Sequence, residues 1–279
     1  MRKIFFTCVL FLIAFAGLGQ FSAIRVEKFG DQGEPVLYLP GFATPGSVWR
    51  ETIQHLAVPH QNYIVSYAGF NGIPAIKMPW YQAIRNELIT LIRDEDLRNL
   101  AIIGHSMGGN LAVDLAAALP GRVSKIVIVD AIPCMRELMM PGVSANQLQY
   151  NSPYNQQMLS MTEAAIRTNA KMMAESMTFN KNMADTLTQW MLEADRETFV
   201  YGYTDLLKLD LRDVLGSVTA KTLILGASFP DKEIVTRNFE KQYEKLANKT
   251  LEIAADSKHF IMFDQPAWLY EKINSFLSK

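Results

Sequence analysis

A serine flanked by glycines is the most informative chemical feature of the chain. The segment Gly104-His105-Ser106-Met107-Gly108 follows the apolar residues Ile102-Ile103 and leads into a helical pattern over residues 111–116. A serine on so tight a strand-to-helix turn needs neighbours without bulk two residues away on each side, and Gly104 and Gly108 meet that need. The five-residue pattern is weak by itself, but its context predicts a nucleophile that forms a covalent acyl intermediate.

The Met107 amide is the second group of interest in this segment. It lies at the start of the helix that follows Ser106, where the helix dipole is positive. It therefore points toward the place where an oxyanion would form during attack on a carbonyl, and it supplies half of an oxyanion hole.

Short apolar runs alternate with amphipathic stretches around this serine, which is typical of a mostly parallel sheet with helices on both faces. Residues 24–29 alternate in polarity and are predicted to form an edge hairpin strand. The other predicted strands are 36–39, 64–67, 100–104, 125–130, 222–226 and 251–254. The predicted helices are 46–56, 81–94, 107–119, 234–246 and 266–277.

Residues 133–205 interrupt the alternation, because they contain helical patterns and no convincing strand. They also hold 10 of the 14 methionines. We interpret this stretch as an inserted helical cap, or lid, on a core formed by residues 20–132 and 206–279. The methionines fill a small irregular core, line an adaptable apolar pocket, or do both.

From about Val26 to Phe276, the order of strands, helices, serine turn and cap resembles the α/β-hydrolase superfamily, whose fold carries many chemistries. The run Leu37-Tyr38-Leu39-Pro40-Gly41-Phe42 looks like the His-Gly loop of that superfamily. The resemblance implies that the Phe42 amide is the second oxyanion donor beside Met107. Pro40 replaces the usual histidine, which leaves the backbone donor available.

His259 is the predicted base, because it follows the last predicted strand and precedes the C-terminal helix. The superfamily carries its catalytic histidine at that position, and Asp264 opens the helix that follows. Two aspartates compete as the acid that orients the imidazole. Asp231 lies in the loop after strand 222–226, the commonest location, and is preferred, although it stands about two residues late. Asp130 ends strand 125–130, a location that some relatives use.

These residues predict a serine hydrolase that cleaves a small or medium apolar ester without a metal or organic cofactor. Carbon-carbon bond hydrolase, lactonase, aminopeptidase and perhydrolase chemistry remain alternatives, since the same three side chains serve them all. A non-catalytic binding protein on this scaffold is the alternative of another class. It is motivated by the late position of Asp231 and by the missing loop histidine.

The net charge and the N-terminal segment indicate the kind of partner and the location of the protein. A formal net charge of −1 gives no basic surface for nucleic acid, so we expect a small-molecule, ester-like substrate.

Arg2 and Lys3 precede an uncharged apolar run over residues 4–18, which predicts a signal peptide over residues 1–19, cleaved after Ala16 or Gly19. The run is too short for a stable membrane anchor, and the expected location is secreted or periplasmic.

Cleavage would take the formal net charge from −1 to −3, because it removes the positive charges of Arg2 and Lys3 and residues 4–19 are uncharged. It would also leave Cys134 as the one remaining cysteine. A chain with a single thiol forms no internal disulfide, so burial of the core must supply its stability. We expect Cys134 to be a buried apolar residue.

Overall fold

The computed structural model describes residues 21–278, and the predicted signal peptide, residues 1–19, lies outside them. Seven strands in the described range form a single sheet. They are β1 (Ile24–Phe29), β2 (Pro35–Leu39), β3 (Gln61–Tyr67), β4 (Leu100–His105), β5 (Val123–Val129), β6 (Lys221–Ala227) and β7 (Lys249–Ala254).

Within the sheet, the strands lie in the order β1-β3-β2-β4-β5-β6-β7. All neighbouring pairs are parallel except β1 with β3, which is antiparallel. The prediction of a hairpin at residues 24–29 is therefore wrong in its partner, although β1 is an edge strand. β2 pairs with β3 on one side and β4 on the other, so it offers β1 no free edge.

Successive residues of the central strands enter two different cores. Leu37, Leu39 and Ile102 pack into one core, while Tyr38 and Ile103 pack into the other. Side chains of a strand alternate between the faces of the sheet, so continuous Val, Ile and Leu runs bury both faces. The α/β sheet thus carries helices on both sides, as the sequence predicts.

Eleven α-helices lie in residues 21–278. They are α1 (Arg50–Gln54), α2 (Trp80–Asp94), α3 (Met107–Ala118), α4 (Met135–Met139), α5 (Pro153–Ser160), α6 (Glu163–Met177), α7 (Lys181–Glu193), α8 (Arg196–Lys208), α9 (Lys232–Gln242), α10 (Ile261–Asp264) and α11 (Pro266–Leu277).

Helices α4 to α8, which we call the helical segment, follow β5 and precede β6 in the chain. These two strands are paired with each other in the sheet. They occupy residues 135–208, close to the stretch for which the sequence predicts helices without strands. Asp205 of α8 attaches this segment to the core, because its carboxylate accepts hydrogen bonds from Trp80 N at 2.8 Å and Tyr81 N at 3.2 Å. Among the described helices, none combines the length and apolar character needed to cross a membrane.

Candidate active site

Ser106 occupies the sharp turn between β4 and α3. Its backbone has φ 53° and ψ −122°, and a positive φ costs energy for a residue with a Cβ atom. The Ser106 amide donates to Val129 O at 2.9 Å, and its carbonyl accepts from Gly109 N at 2.8 Å. These bonds hold the strained serine at the carboxyl edge of the sheet, which is the usual position of ligands in open α/β sheets.

The two glycines around Ser106 are required by backbone contacts. A Cβ atom on Gly104 would lie 2.1 Å from Gly108 O, and a Cβ atom on Gly108 would lie 2.1 Å from Leu39 O. Neither carbonyl can move without displacing β2 or the first turn of α3. The turn therefore has the geometry of a nucleophile elbow, as the sequence predicts.

The loop after β2 lies directly against the elbow. A Cβ atom on Gly41 would be 3.4 Å from the Cβ atom of Ser106. The Tyr67 hydroxyl donates to Pro40 O at 3.2 Å and anchors this loop, which lacks the histidine usual in the superfamily. The structure thus brings the loop that carries Phe42 to the same turn as Ser106 and Met107.

His259 and Asp130 form a hydrogen-bonded pair beside the elbow. His259 Nδ1 donates to Asp130 Oδ2 at 2.6 Å, and the other carboxylate oxygen of Asp130 accepts from Ala227 N at 2.8 Å. The second bond fixes the orientation of the carboxylate. Since Nδ1 carries the proton in this pair, Nε2 of His259 is left free to act as a base.

The preference for Asp231 as the partner of His259 is not supported by the structure. Asp231 caps α9, where its carboxylate accepts from Ile234 N at 2.9 Å. It stands four residues beyond the end of β6, whereas Asp130 follows β5 directly. His105 pairs with Val129 across β4 and β5, so Ser106 and Asp130 are the next residues on two adjacent strands. This register brings Asp130 to the site.

His105 is a buried member of the site whose role the sequence did not reveal. Its Nε2 atom donates to the His259 carbonyl at 3.0 Å, and the two rings lie 4.6 Å apart. Burial first, and then the nearby His259, hold the pKa of the His105 imidazole well below its ordinary value. His105 is therefore a neutral donor that supports the backbone of His259.

An aromatic cluster joins the loop after β2 to the helical segment. The Phe42 ring lies 5.3 Å from the Phe199 ring and 5.9 Å from the Tyr203 ring, both on α8. On the core side it contacts Phe70 and Trp80 at 4.9 and 5.5 Å. These rings connect the surroundings of Ser106 with the interior of the helical segment.

Two cavities of about 380 Å³ each lie within the helical segment. They share four wall residues, Met158, Met173, Phe199 and Val200. Both volumes are near the lower end of the range for small-molecule pockets. Asn155, a polar wall residue of the first cavity, already donates to Thr204 Oγ1 at 2.9 Å. The surface that lines both cavities is mainly apolar.

Other chemistry-bearing residues are placed as follows. Cys134 is buried, and burial raises the pKa of its thiol, so it lacks the thiolate character of a nucleophile. Within residues 21–278, no three His, Cys, Asp or Glu side chains are grouped in a way that could hold a metal ion.

Comparison with known proteins shows the family to which this chain belongs. The profile of the Alpha/beta hydrolase family matches residues 36–272. The chain belongs to this family.

The proteins to which the chain is similar include esterases. The chain is 26% identical over 202 residues to the pimeloyl-[acyl-carrier protein] methyl ester esterase of Aeromonas salmonicida, a match that covers 69% of this chain and 75% of the relative. An esterase from Exiguobacterium antarcticum has a similar structure, with a TM-score of 0.77, 20% identity, and coverage of 93% and 98% of the two chains. The enol-lactonase of Burkholderia xenovorans has a TM-score of 0.76, 14% identity, and coverage of 92% and 96%. Such structural likenesses establish the fold.

Proposed function

We propose that this chain is a serine hydrolase that cleaves carboxylic esters with a small or medium apolar acyl group. The observation that carries the proposal is the position of Ser106 on a strained elbow beside the hydrogen-bonded pair His259–Asp130. The esterase relatives support ester cleavage as the reaction class.

In the proposed mechanism, His259 Nε2 takes the proton of the Ser106 hydroxyl as its oxygen attacks the ester carbonyl. Asp130 stabilises the imidazolium that forms, through the 2.6 Å bond to Nδ1. The amides of Met107 and Phe42 donate to the developing oxyanion. The proton on Nε2 then passes to the leaving alkoxide, which departs as the alcohol.

In the second half of the reaction, water attacks the acyl-enzyme while His259 accepts one of its protons. The ester bond to Ser106 breaks, its hydroxyl regains the proton from His259, and the carboxylic acid leaves. The same oxyanion donors serve both halves of the reaction. In each half, His259 accepts one proton and gives one proton back, so the protons balance.

We propose that the helical segment is the cap and that its cavities receive the acyl chain. Three observations support this: the apolar walls, the flexible thioethers of Met158 and Met173, and the contact of Phe199 with Phe42 next to the elbow. Thioether side chains adapt to chains of different shape. We therefore expect the cap to select acyl groups by length and not by charge.

The alternative of a non-catalytic binding protein rested on the late position of Asp231 and on the missing loop histidine. The contact between Asp130 and His259 provides an acid without Asp231. The Tyr67 hydroxyl, which donates to Pro40 O at 3.2 Å, provides an anchor for the loop without a histidine. Both features support catalysis.

Labelling of residues 20–279 with a fluorophosphonate probe tests the proposal. We expect labelling of the wild type and of His55→Ala, an exposed histidine that stacks on Tyr270. Labelling should be lost in Ser106→Ala and His259→Ala. An unlabelled wild type, or a labelled Ser106→Ala protein, would refute the mechanism. Hydrolysis of p-nitrophenyl esters of increasing chain length, with lactone and aminoacyl substrates alongside, then defines the substrate.

A further inference from the structure

Asp264 joins the loop of His259 to the proposed cap. Its Oδ2 atom accepts from Lys258 N at 2.9 Å, next to His259 in the chain. Its Oδ1 atom accepts from Thr178 Oγ1 at 2.6 Å and from Phe179 N at 2.9 Å. Thr178 and Phe179 belong to the turn between α6 and α7, so one carboxylate holds two separate parts of the chain together.

A second set of bonds joins the same two parts. Phe260 N, on the other side of His259, donates to Met177 O at 3.0 Å. The Lys258 ammonium group donates to Glu175 O at 2.6 Å. Both chain neighbours of His259 are thus bonded to the end of α6 or to the turn that follows it.

His259 itself has two further supports, which come from the core. Its ring is held by Asp130 and its carbonyl by His105. These bonds fix the ring direction and one backbone atom. On either side of His259, Lys258 N is held by Asp264, which is itself bonded to the α6–α7 turn, and Phe260 N is held by Met177 O at the end of α6. The location of Nε2 relative to Ser106 therefore depends on contacts from both the core and the helical segment.

We propose that Asp264 is a positioning residue for His259, and that through it the α6–α7 turn of the cap holds the base in its reactive place. The inference rests on the proposed function and adds a second role to the cap. Besides enclosing substrate, the cap completes the support of the catalytic histidine. Displacement of the turn would lower the turnover rate even for an ester too short to fill the cavities.

Asp264→Asn provides the main test. An asparagine side chain has one acceptor oxygen, so it cannot accept from both Lys258 N and the Thr178–Phe179 pair as the carboxylate does. A misplacement of about 1 Å costs about 10²-fold in rate, and we expect a fall of that order in kcat for p-nitrophenyl acetate. KM should stay within about twofold because the substrate pocket is unchanged, and the rate of fluorophosphonate labelling should fall with kcat.

Two further variants separate positioning from general destabilisation. Thr178→Val keeps the shape of the side chain. It removes the bond from Thr178 Oγ1 to Asp264 and the acceptor for Asn180 N, while the bond from Phe179 N to Asp264 remains, so it should lower kcat by a smaller factor with KM unchanged. Asp256→Asn alters an exposed carboxylate two residues before Lys258 and should leave kcat unchanged. A lower melting temperature for Asp264→Asn or Thr178→Val with wild-type kcat would overturn the proposal.

Hydrogen exchange of the backbone amides provides a readout that does not need activity. If the link is real, Thr178→Val should speed exchange at Lys258 and Phe260 as well as at Phe179. Unchanged exchange at Lys258 and Phe260 would overturn the link, whatever the activity. A wild-type protein that neither hydrolyses esters nor takes the label would instead refute the proposed function, and exchange would still decide the link.

Discussion

Replacement of Asp130 by asparagine should disable the site while leaving the fold intact. The carboxylate accepts from His259 Nδ1 at 2.6 Å and from Ala227 N at 2.8 Å. Asparagine has nearly the same shape, and its oxygen can keep the bond to Ala227. Its amide nitrogen then faces Nδ1 as a donor, and the imidazole must carry its proton on Nε2 instead.

A histidine protonated on Nε2 cannot accept the proton of Ser106. An error of this kind in the tautomer lowers kcat by about 10⁴-fold, and at 1.36 kcal/mol per tenfold this is about 5.4 kcal/mol of transition-state stabilisation. The loss should appear in kcat for p-nitrophenyl butyrate and in the rate of fluorophosphonate labelling. The melting temperature should change little.

Asp231→Asn is the matched control for this experiment. The asparagine oxygen can still accept from Ile234 N and cap α9, so both activity and stability should stay near the wild-type values. Full activity in Asp130→Asn combined with a large loss in Asp231→Asn would refute the assignment. It would mean that the loop after β6 moves to bring Asp231 to His259 during turnover.

Three further outcomes follow from the structure. Gly108→Ala should lower the free energy of unfolding, measured in urea, by about 1–3 kcal/mol, because the added Cβ atom would lie 2.1 Å from Leu39 O. Gly216→Ala is the control and should leave the free energy of unfolding unchanged, since a Cβ atom there would meet open space. Val200 lines both cavities, so Val200→Trp should reduce their volume and lower kcat/KM for p-nitrophenyl octanoate at least about 10-fold while leaving kcat/KM for the acetate unchanged. Equal losses on both esters would contradict an acyl site there. The free energy of unfolding should fall as pH drops below about 6.5, because unfolding lets the buried, neutral His105 take a proton. His105→Gln should remove that part of the pH dependence, seen as the difference between urea midpoints at pH 8 and pH 5.

The sequence predicts the fold well because its signals are local. Buried parallel strands appear as uninterrupted apolar runs, and the predicted strand at residues 36–39 differs from β2 by one residue. The elbow is also local, since Gly104, Ser106 and Gly108 lie within five residues. By contrast, the pairing of β1 with β3 depends on which strand edges remain free, and the polarity pattern of residues 24–29 carries no such information.

The proposed partners of Ser106 depend on contacts between distant parts of the chain. Asp130 lies 129 residues from His259, and Asp264 lies 86 residues from Thr178. A loop location usual for relatives favoured Asp231, whereas the register of β4 with β5 brings Asp130 beside the Ser106 turn, where it contacts His259. The signal available in the sequence was that Asp130 ends a predicted strand, 125–130. Nothing local indicated that His105 or Asp264 supports His259.

The position of the helical segment between two neighbouring strands bears on how such enzymes diversify. β5 and β6 are paired to each other, so the sheet keeps its register whatever the chain forms between them. Exchange of residues 135–208 by recombination could therefore change the compounds accepted without a new solution to the folding problem. The inferred role of the bond between Thr178 and Asp264 sets a condition on such exchanges, because a donor in the new segment must reach the same carboxylate. We expect chimeras that lack this donor to fold and bind their compounds but to turn them over slowly.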